Sequence, residues 1–188
     1  MATPAIILSI LFVLCLTAPV VTRSVGLVHD DDKPAQKIWI PIMFGLSQGV
    51  MALAGHALSR LMAHLFTYIA EYMVFAMMLV VAVKLFVESM RVLKGKLMYT
   101  VSKESDILLL TVIAAFNTFL YALVSMFFLP FGNWFFVAVV VAGFLWAFFT
   151  VRIAFKPGTI KKVSFVEFSA SVFMVVIAIL YLFTDLMK

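Results

Sequence analysis

The chain has 188 residues, of which 65% are hydrophobic and only 12% charged. Soluble domains carry about a quarter charged residues, so a soluble globular fold is excluded and a membrane protein is the expected class. The formal charge of +5 is spread over the connections between apolar runs, and three His with nine acidic residues leave little material for a catalytic cluster; neither a nucleic-acid partner nor an enzyme is expected.

A membrane-spanning helix needs about 20 mostly apolar residues, and six stretches supply them. The first, Ala5–Val28, is interrupted near its end by Pro19 and Arg23, and His29-Asp30-Asp31-Asp32-Lys33-Pro34 closes it. It holds the single cysteine, Cys15, which excludes an internal disulfide and any CxxC motif and reads as a packing residue. The second, Ile38–Ala57, contains Gln48 and a stripe of small residues (Gly45, Gly49, Ala52, Gly55) at the spacing that lets helices approach closely. His56 and His64 flank a short connection after it, and two histidines make no metal site without further ligands.

The third span, Thr67–Val87, carries Glu71 within a turn or two of its start, where a carboxylate reaches water. Lys84 and Glu88 are four apart on one helical face, which predicts a local ion pair with a snorkelling lysine. The fourth, Ile107–Leu129, places Asn117-Thr118 near mid-membrane and ends in the turn Pro130-Phe131-Gly132-Asn133. The fifth, Trp134–Val151, is the shortest of the six, and Lys156-Pro157-Gly158 separates it from the sixth, Ser164–Thr184. Glu167, near Lys161 and Lys162, reads as interface electrostatics. Trp39, Tyr68, Tyr72 and Trp134 lie near span ends, where amphipathic rings favour the interface. The 12 Met are dispersed through apolar runs as gap-fillers.

Direction follows from charge. Eleven of the 14 Lys and Arg lie in the first, third and fifth connections (Arg23, Lys33, Lys37; Arg91, Lys94, Lys96, Lys103; Arg152, Lys156, Lys161, Lys162). Arg60 and Lys188 lie on the other side, and Lys84 sits inside the third span. The positive-inside rule then puts those connections in the cytoplasm and both termini outside, in a multi-pass inner-membrane protein. Residues 1–22 could instead be a cleaved signal peptide, but Met1-Ala2-Thr3-Pro4 lacks positive charge and Ala18-Pro19 is a poor cleavage context; the first span is expected to be a true helix.

Three spans per half force the halves to cross in opposite senses, so the expected fold is all-α: one transmembrane domain of two inverted three-helix repeats, 1–96 and 103–188. Leu85-Phe86-Val87-Glu88-Ser89-Met90 and Leu182-Phe183-Thr184-Asp185-Leu186-Met187 share the ending Leu-Phe-x-acidic-x-Met. Gln48, Asn117 and Thr118 are the deepest polar groups. They serve either as interhelical hydrogen bonds or as a substrate path.

Phe44-Gly45-Leu46-Ser47-Gln48-Gly49-Val50-Met51-Ala52-Leu53-Ala54-Gly55 resembles the second-helix signature of the MntP-type manganese efflux pumps, in the LysE-type transporter superfamily. Tyr72-Met73-Val74-Phe75 with Lys84-x-x-x-Glu88 resembles that family's third helix, Ser24-Val25-Gly26 the end of its first, and Leu120 to Leu129 its fourth. The resemblance implies a six-helix exporter with Mn2+ as transported substrate and the lipid bilayer as its surroundings; no cofactor is implied. The family's two membrane aspartates fall here on Pro19 and on Thr118, beside Asn117, so the ion site is altered. A hard dication prefers carboxylate, carbonyl and water oxygens, and a carbonyl freed by Pro19 is one substitute. The candidate pathway is Asn117, Thr118, Gln48, Pro19 and Glu71, and no metal ligand is assigned.

Overall fold

A computed structural model describes residues 2–25, 34–94, 104–128, 132–153 and 159–186. Residues 29–33 of the segment closing the first span, Lys96, Lys103, Pro130-Phe131, Lys156-Pro157-Gly158 and Met187 lie outside the described residues. The described residues form helices and turns only: α1 (Ala2–Thr17), α2 (Pro19–Val25), α3 (Pro34–Phe66), a 3-10 turn (Thr67–Ile69), α4 (Ala70–Leu93), α5 (Glu104–Ala122), α6 (Trp134–Ile153) and α7 (Thr159–Leu186). Five segments are long and apolar enough to cross a membrane: Ile6–Val25, Ile38–Leu65, Ala70–Leu93, Trp134–Arg152 and Val163–Phe183. A shorter apolar helix, Ile107–Ala122, makes a sixth.

Three boundaries differ from expectation. The second span runs on to Leu65, a length of 28 residues, so His56 and His64 both lie within α3 and the connection is only the 3-10 turn. The shortest apolar helix is the fourth, not the fifth. Hydropathy continues to Leu129, yet the helix stops at Ala122, because the amides of Val124, Ser125 and Phe127 bond to carbonyls three residues back. Side chains hold that turn: His56 Nδ1 lies 2.8 Å from Ser125 Oγ, and Ser59 Oγ accepts from the Met126 amide at 3.1 Å. The third span starts at Ala70 and continues past Val87 to Leu93.

Pro19 divides the first span as its chemistry requires. It has no amide hydrogen to offer the Cys15 carbonyl, and that carbonyl accepts from the Ala18 amide at 3.3 Å instead. Leu14 O thereby loses its partner in the next turn, and the Trp146 indole of α6 donates to it at 3.2 Å.

The most extensive helix pairs are α4 with α7, α3 with α5 and α3 with α6, and every sizeable helix–helix contact joins one of α1–α4 to one of α5–α7. The two sequence halves therefore interleave. Gly45 and Gly49 set α3 against α6 at Val140, and Gly55 sets it against α5 at Phe119 and Ala122. A buried core of Phe12, Leu16, Met78, Leu85, Tyr121, Phe135 and Met174 runs through the bundle. Large apolar side chains line its outside, among them Leu61, Val83, Leu109, Val141 and Val176. Such a surface suits lipid, because soluble monomers rarely expose wide apolar patches. Trp39, Tyr68, Tyr72 and Trp134 are all exposed, as rings at an interface would be.

Candidate functional site

A cluster of charged and polar side chains lies where α2, α4, α5 and α7 meet. Arg23, on the last turn of α2, is 4% exposed. Its Nη2 donates to Glu88 Oε1 of α4 at 3.0 Å, and its Nη1 donates to its own helix's Pro19 carbonyl at 3.2 Å. Lys84, one turn before Glu88, places Nζ 3.3 Å from the same carboxylate oxygen. The ammonium also donates to Asn117 Oδ1 of α5 and lies 5.3 Å from the centre of the Phe116 ring. One carboxylate oxygen thus takes two cations, and Glu88 Oε2 has no hydrogen-bond partner.

Glu167 completes the cluster from α7. It is fully buried, and its Oε1 is hydrogen-bonded to the Thr22 hydroxyl, next to Arg23 in sequence. Glu167 Oε2, Arg23 Nε and Asn117 Nδ2 are buried without a partner. Two cations and two carboxyl groups share this space, so the cluster is balanced when both carboxyl groups are ionised. Close pairing is what makes burial of such groups tolerable, since an isolated charge in a low-dielectric interior is very unfavourable. Beside it, a groove of about 530 Å³ on α4, lined by Val80, Val83, Lys84, Val87 and Glu88, reaches the outside of the bundle.

Next to this cluster on α5 is a different arrangement. Thr118 donates to Gln48 Oε1 of α3, and both side chains are fully buried. Ser47, beside Gln48, donates to the Thr111 carbonyl of α5 at 3.1 Å. The seam is tight: a Cβ added at Gly143 of α6 would lie 2.7 Å from Gln48 Cγ. The Gln48 Nε2 amide has no partner.

The structure brings Asn117 to the charged cluster and pairs Thr118 with Gln48. Pro19 joins the cluster through its carbonyl, which accepts from Arg23 and lies 3.2 Å from the Thr22 hydroxyl. The carbonyls at the helix break are engaged: Cys15 O with Ala18, Leu14 O with Trp146. Glu71 stands apart, exposed in the first turn of α4 and about 20 Å from Lys84 at 1.5 Å of rise per residue.

Two sequence readings need correction. Glu167 is not an interface carboxylate; it lies inside the apolar stretch Val163–Phe183 and its side chain is buried. Arg23 is not a connection charge but the centre of the buried cluster. The Lys84–Glu88 pair is present, yet it belongs to a network over several helices rather than to α4 alone. Ionisable residues within apolar runs were the signal available for Arg23 and Glu167. Among the described residues, no three His, Cys, Asp or Glu side chains gather as metal ligands would. No protein-family model, no curated protein and no solved structure matches the chain.

Proposed function

We propose that this chain is a small multi-pass inner-membrane exporter of the MntP-like type, built as two inverted three-helix halves, with an altered site for its cation. The observation that carries this reading is the charged cluster between the halves. Arg23, Lys84 and Glu88 come from the first half, Asn117 and Glu167 from the second. Ionisable groups facing a bundle interior are costly and mark ion or substrate pathways, and transporter sites form where repeats meet. The interleaved helix pairs support the inverted repeat, because each half leaves its own helices largely apart and packs on the other. Arg23, Glu88 and Glu167 meet although they come from the ends of α2 and α4 and the start of α7. This fits one shared side for the first, third and fifth connections, which the positive-inside rule makes cytoplasmic with both termini outside.

The family's aspartate pair is replaced here by a balanced set of charges. Manganese is the cargo that the resemblance implies, and a hard dication prefers carboxylate, carbonyl and water oxygens. Arg23 and Lys84 must yield for a dication to share that space, because like charges at close range repel. The test is metal sensitivity in an efflux-deficient host. Expression of the chain should protect against manganese, and Asn117→Ala or Glu88→Gln at equal membrane abundance should abolish protection. Well-expressed protein that protects against no tested cation sinks the exporter reading.

A second reading, a static structural or regulatory membrane protein, draws on the Gln48–Thr118 seam. Its full burial and close glycine packing are what a fixed interface needs. Locking the halves by a cross-link across this seam separates the two: an exporter stops, a scaffold does not.

A further inference from the structure

We infer that Glu167 is a proton-exchange site and that Arg23 is the partner that follows its charge. This rests on the exporter reading for its consequence, but the proton site itself does not.

Hydrogen accounting at Thr22 supports it. The hydroxyl has one hydrogen and faces two acceptors, the Pro19 carbonyl and Glu167 Oε1. When Glu167 is a carboxylic acid, it donates to Thr22 Oγ1 and Thr22 donates to Pro19 O, so both contacts are used. When Glu167 is a carboxylate, Thr22 serves only one of the two. The second oxygen, Oε2, is buried with no partner, a burden far smaller for a neutral carboxyl than for a charged one. Arg23, next to Thr22 in sequence, is committed to Glu88.

The groups facing Glu167 make the ionised form accessible as well. Thr22 bonds to it from α2, and the charges of Arg23 on α2 and of Glu88 and Lys84 on α4 act on it; α1 carries no charged residue. With Glu167 protonated, Arg23, Lys84 and Glu88 leave one net positive charge. Loss of the proton to water makes the set neutral and gives Arg23, whose Nε is unpartnered, a second carboxylate to turn to. The step is an acid dissociation: the O–H bond of Glu167 breaks, its electron pair stays on the carboxylate, and water takes the proton. A positive cluster repels a cation and a neutral one admits it, so proton and cation occupy the site in alternation. That is the requirement for exchange of one against the other.

Infrared difference spectroscopy of the full chain in lipid nanodiscs, titrated with pH, tests the proton site without any transport. A protonated-carboxyl C=O band additional to those of the other acidic side chains should appear as pH falls and vanish in Glu167→Gln. Thr22→Val, which keeps the carboxyl but removes its hydrogen-bond partner, should shift the band's frequency and serves if the glutamine variant does not fold. Absence of the band in the wild type, its persistence in Glu167→Gln or its indifference to Thr22→Val overturns the assignment. Proteoliposomes then test the consequence: an opposing proton gradient should drive cation release, and Glu167→Gln should lose that response. A wild-type band without cation movement defeats the exporter reading alone.

Discussion

Asn117 and Thr118 are neighbours on α5, yet they belong to opposite kinds of polar environment. Asn117 accepts from Lys84 within a charged cluster where several buried atoms, on Arg23, Glu88 and Glu167, remain unpartnered. Thr118 closes on Gln48 in a seam packed so tightly that neighbouring positions must be glycine. A helix turns about 100° per residue, so adjacent side chains look in different directions and one polar dipeptide serves two interfaces. The cluster has spare hydrogen-bonding capacity and a choice of partners. The seam has one side-chain pair, a single unpartnered amide on Gln48, and no room. Position along α5 alone therefore does not tell which polar environment a residue joins.

The difference can be broken most forcefully at its charged end. Arg23→Leu removes one of the two cations on Glu88 and should destabilise the purified full chain by about 3–5 kcal/mol, seen as a large drop in its thermal midpoint in detergent. Pairing Arg23→Met with Glu88→Leu should recover only part of that loss, since Lys84 loses its carboxylate partner as well. An unchanged midpoint for Arg23→Leu alone would show the ion pair to be idle.

At the seam, sterics dominate. Gly55→Val puts a Cβ 2.7 Å from the Phe119 carbonyl and 2.6 Å from Ala122 Cβ. A backbone atom cannot swing aside, so the expected cost is roughly 2–3 kcal/mol, read as loss of folded monomer on heating. Thr118→Val should cost somewhat less, roughly 1–2 kcal/mol, by leaving Gln48 Oε1 without its donor. Adding Gln48→Leu to it should restore stability. Should the double variant fall below Thr118→Val, the pair contributes more than a mutual hydrogen bond. The smallest effect is expected at the helix break, where Trp146→Phe forfeits one hydrogen bond to Leu14 O, about 1 kcal/mol, measurable as faster amide exchange around Ala18 and Val20.

How legible all this was depends on whether the cause is local. Apolar runs marked the helices, Pro19 marked the break at the residue where it occurs, and the glycine stripe of α3 marked close packing that Gly45, Gly49 and Gly55 indeed make. Lys84 and Glu88 announced their pairing through four-residue spacing. The meeting of Arg23 with Glu88, 65 residues on, and of Thr22 with Glu167, 145 residues on, had no such announcement. Those partners are chosen by how α2, α4 and α7 pack. Sequence alone therefore places Arg23 and Glu167 beside water rather than in each other's neighbourhood. The end of α5 escaped for a related reason: Leu123–Leu129 is as apolar as the helix before it, and the turn is fixed by Ser59 and His56 of another helix.

The pairing of α3 with α5 has a mechanical consequence. The apolar part of α3, 28 residues, is about 42 Å long, whereas Ile107–Ala122 of α5 is about 24 Å. A hydrocarbon layer of about 30 Å matches neither. In a bilayer, with the two helices bound side by side, lipid would have to thin beside one or the other would have to lean, so acyl-chain length would become a force on the bundle. Bilayer thickness would then act on the same two helices that carry Gln48, Asn117 and Thr118.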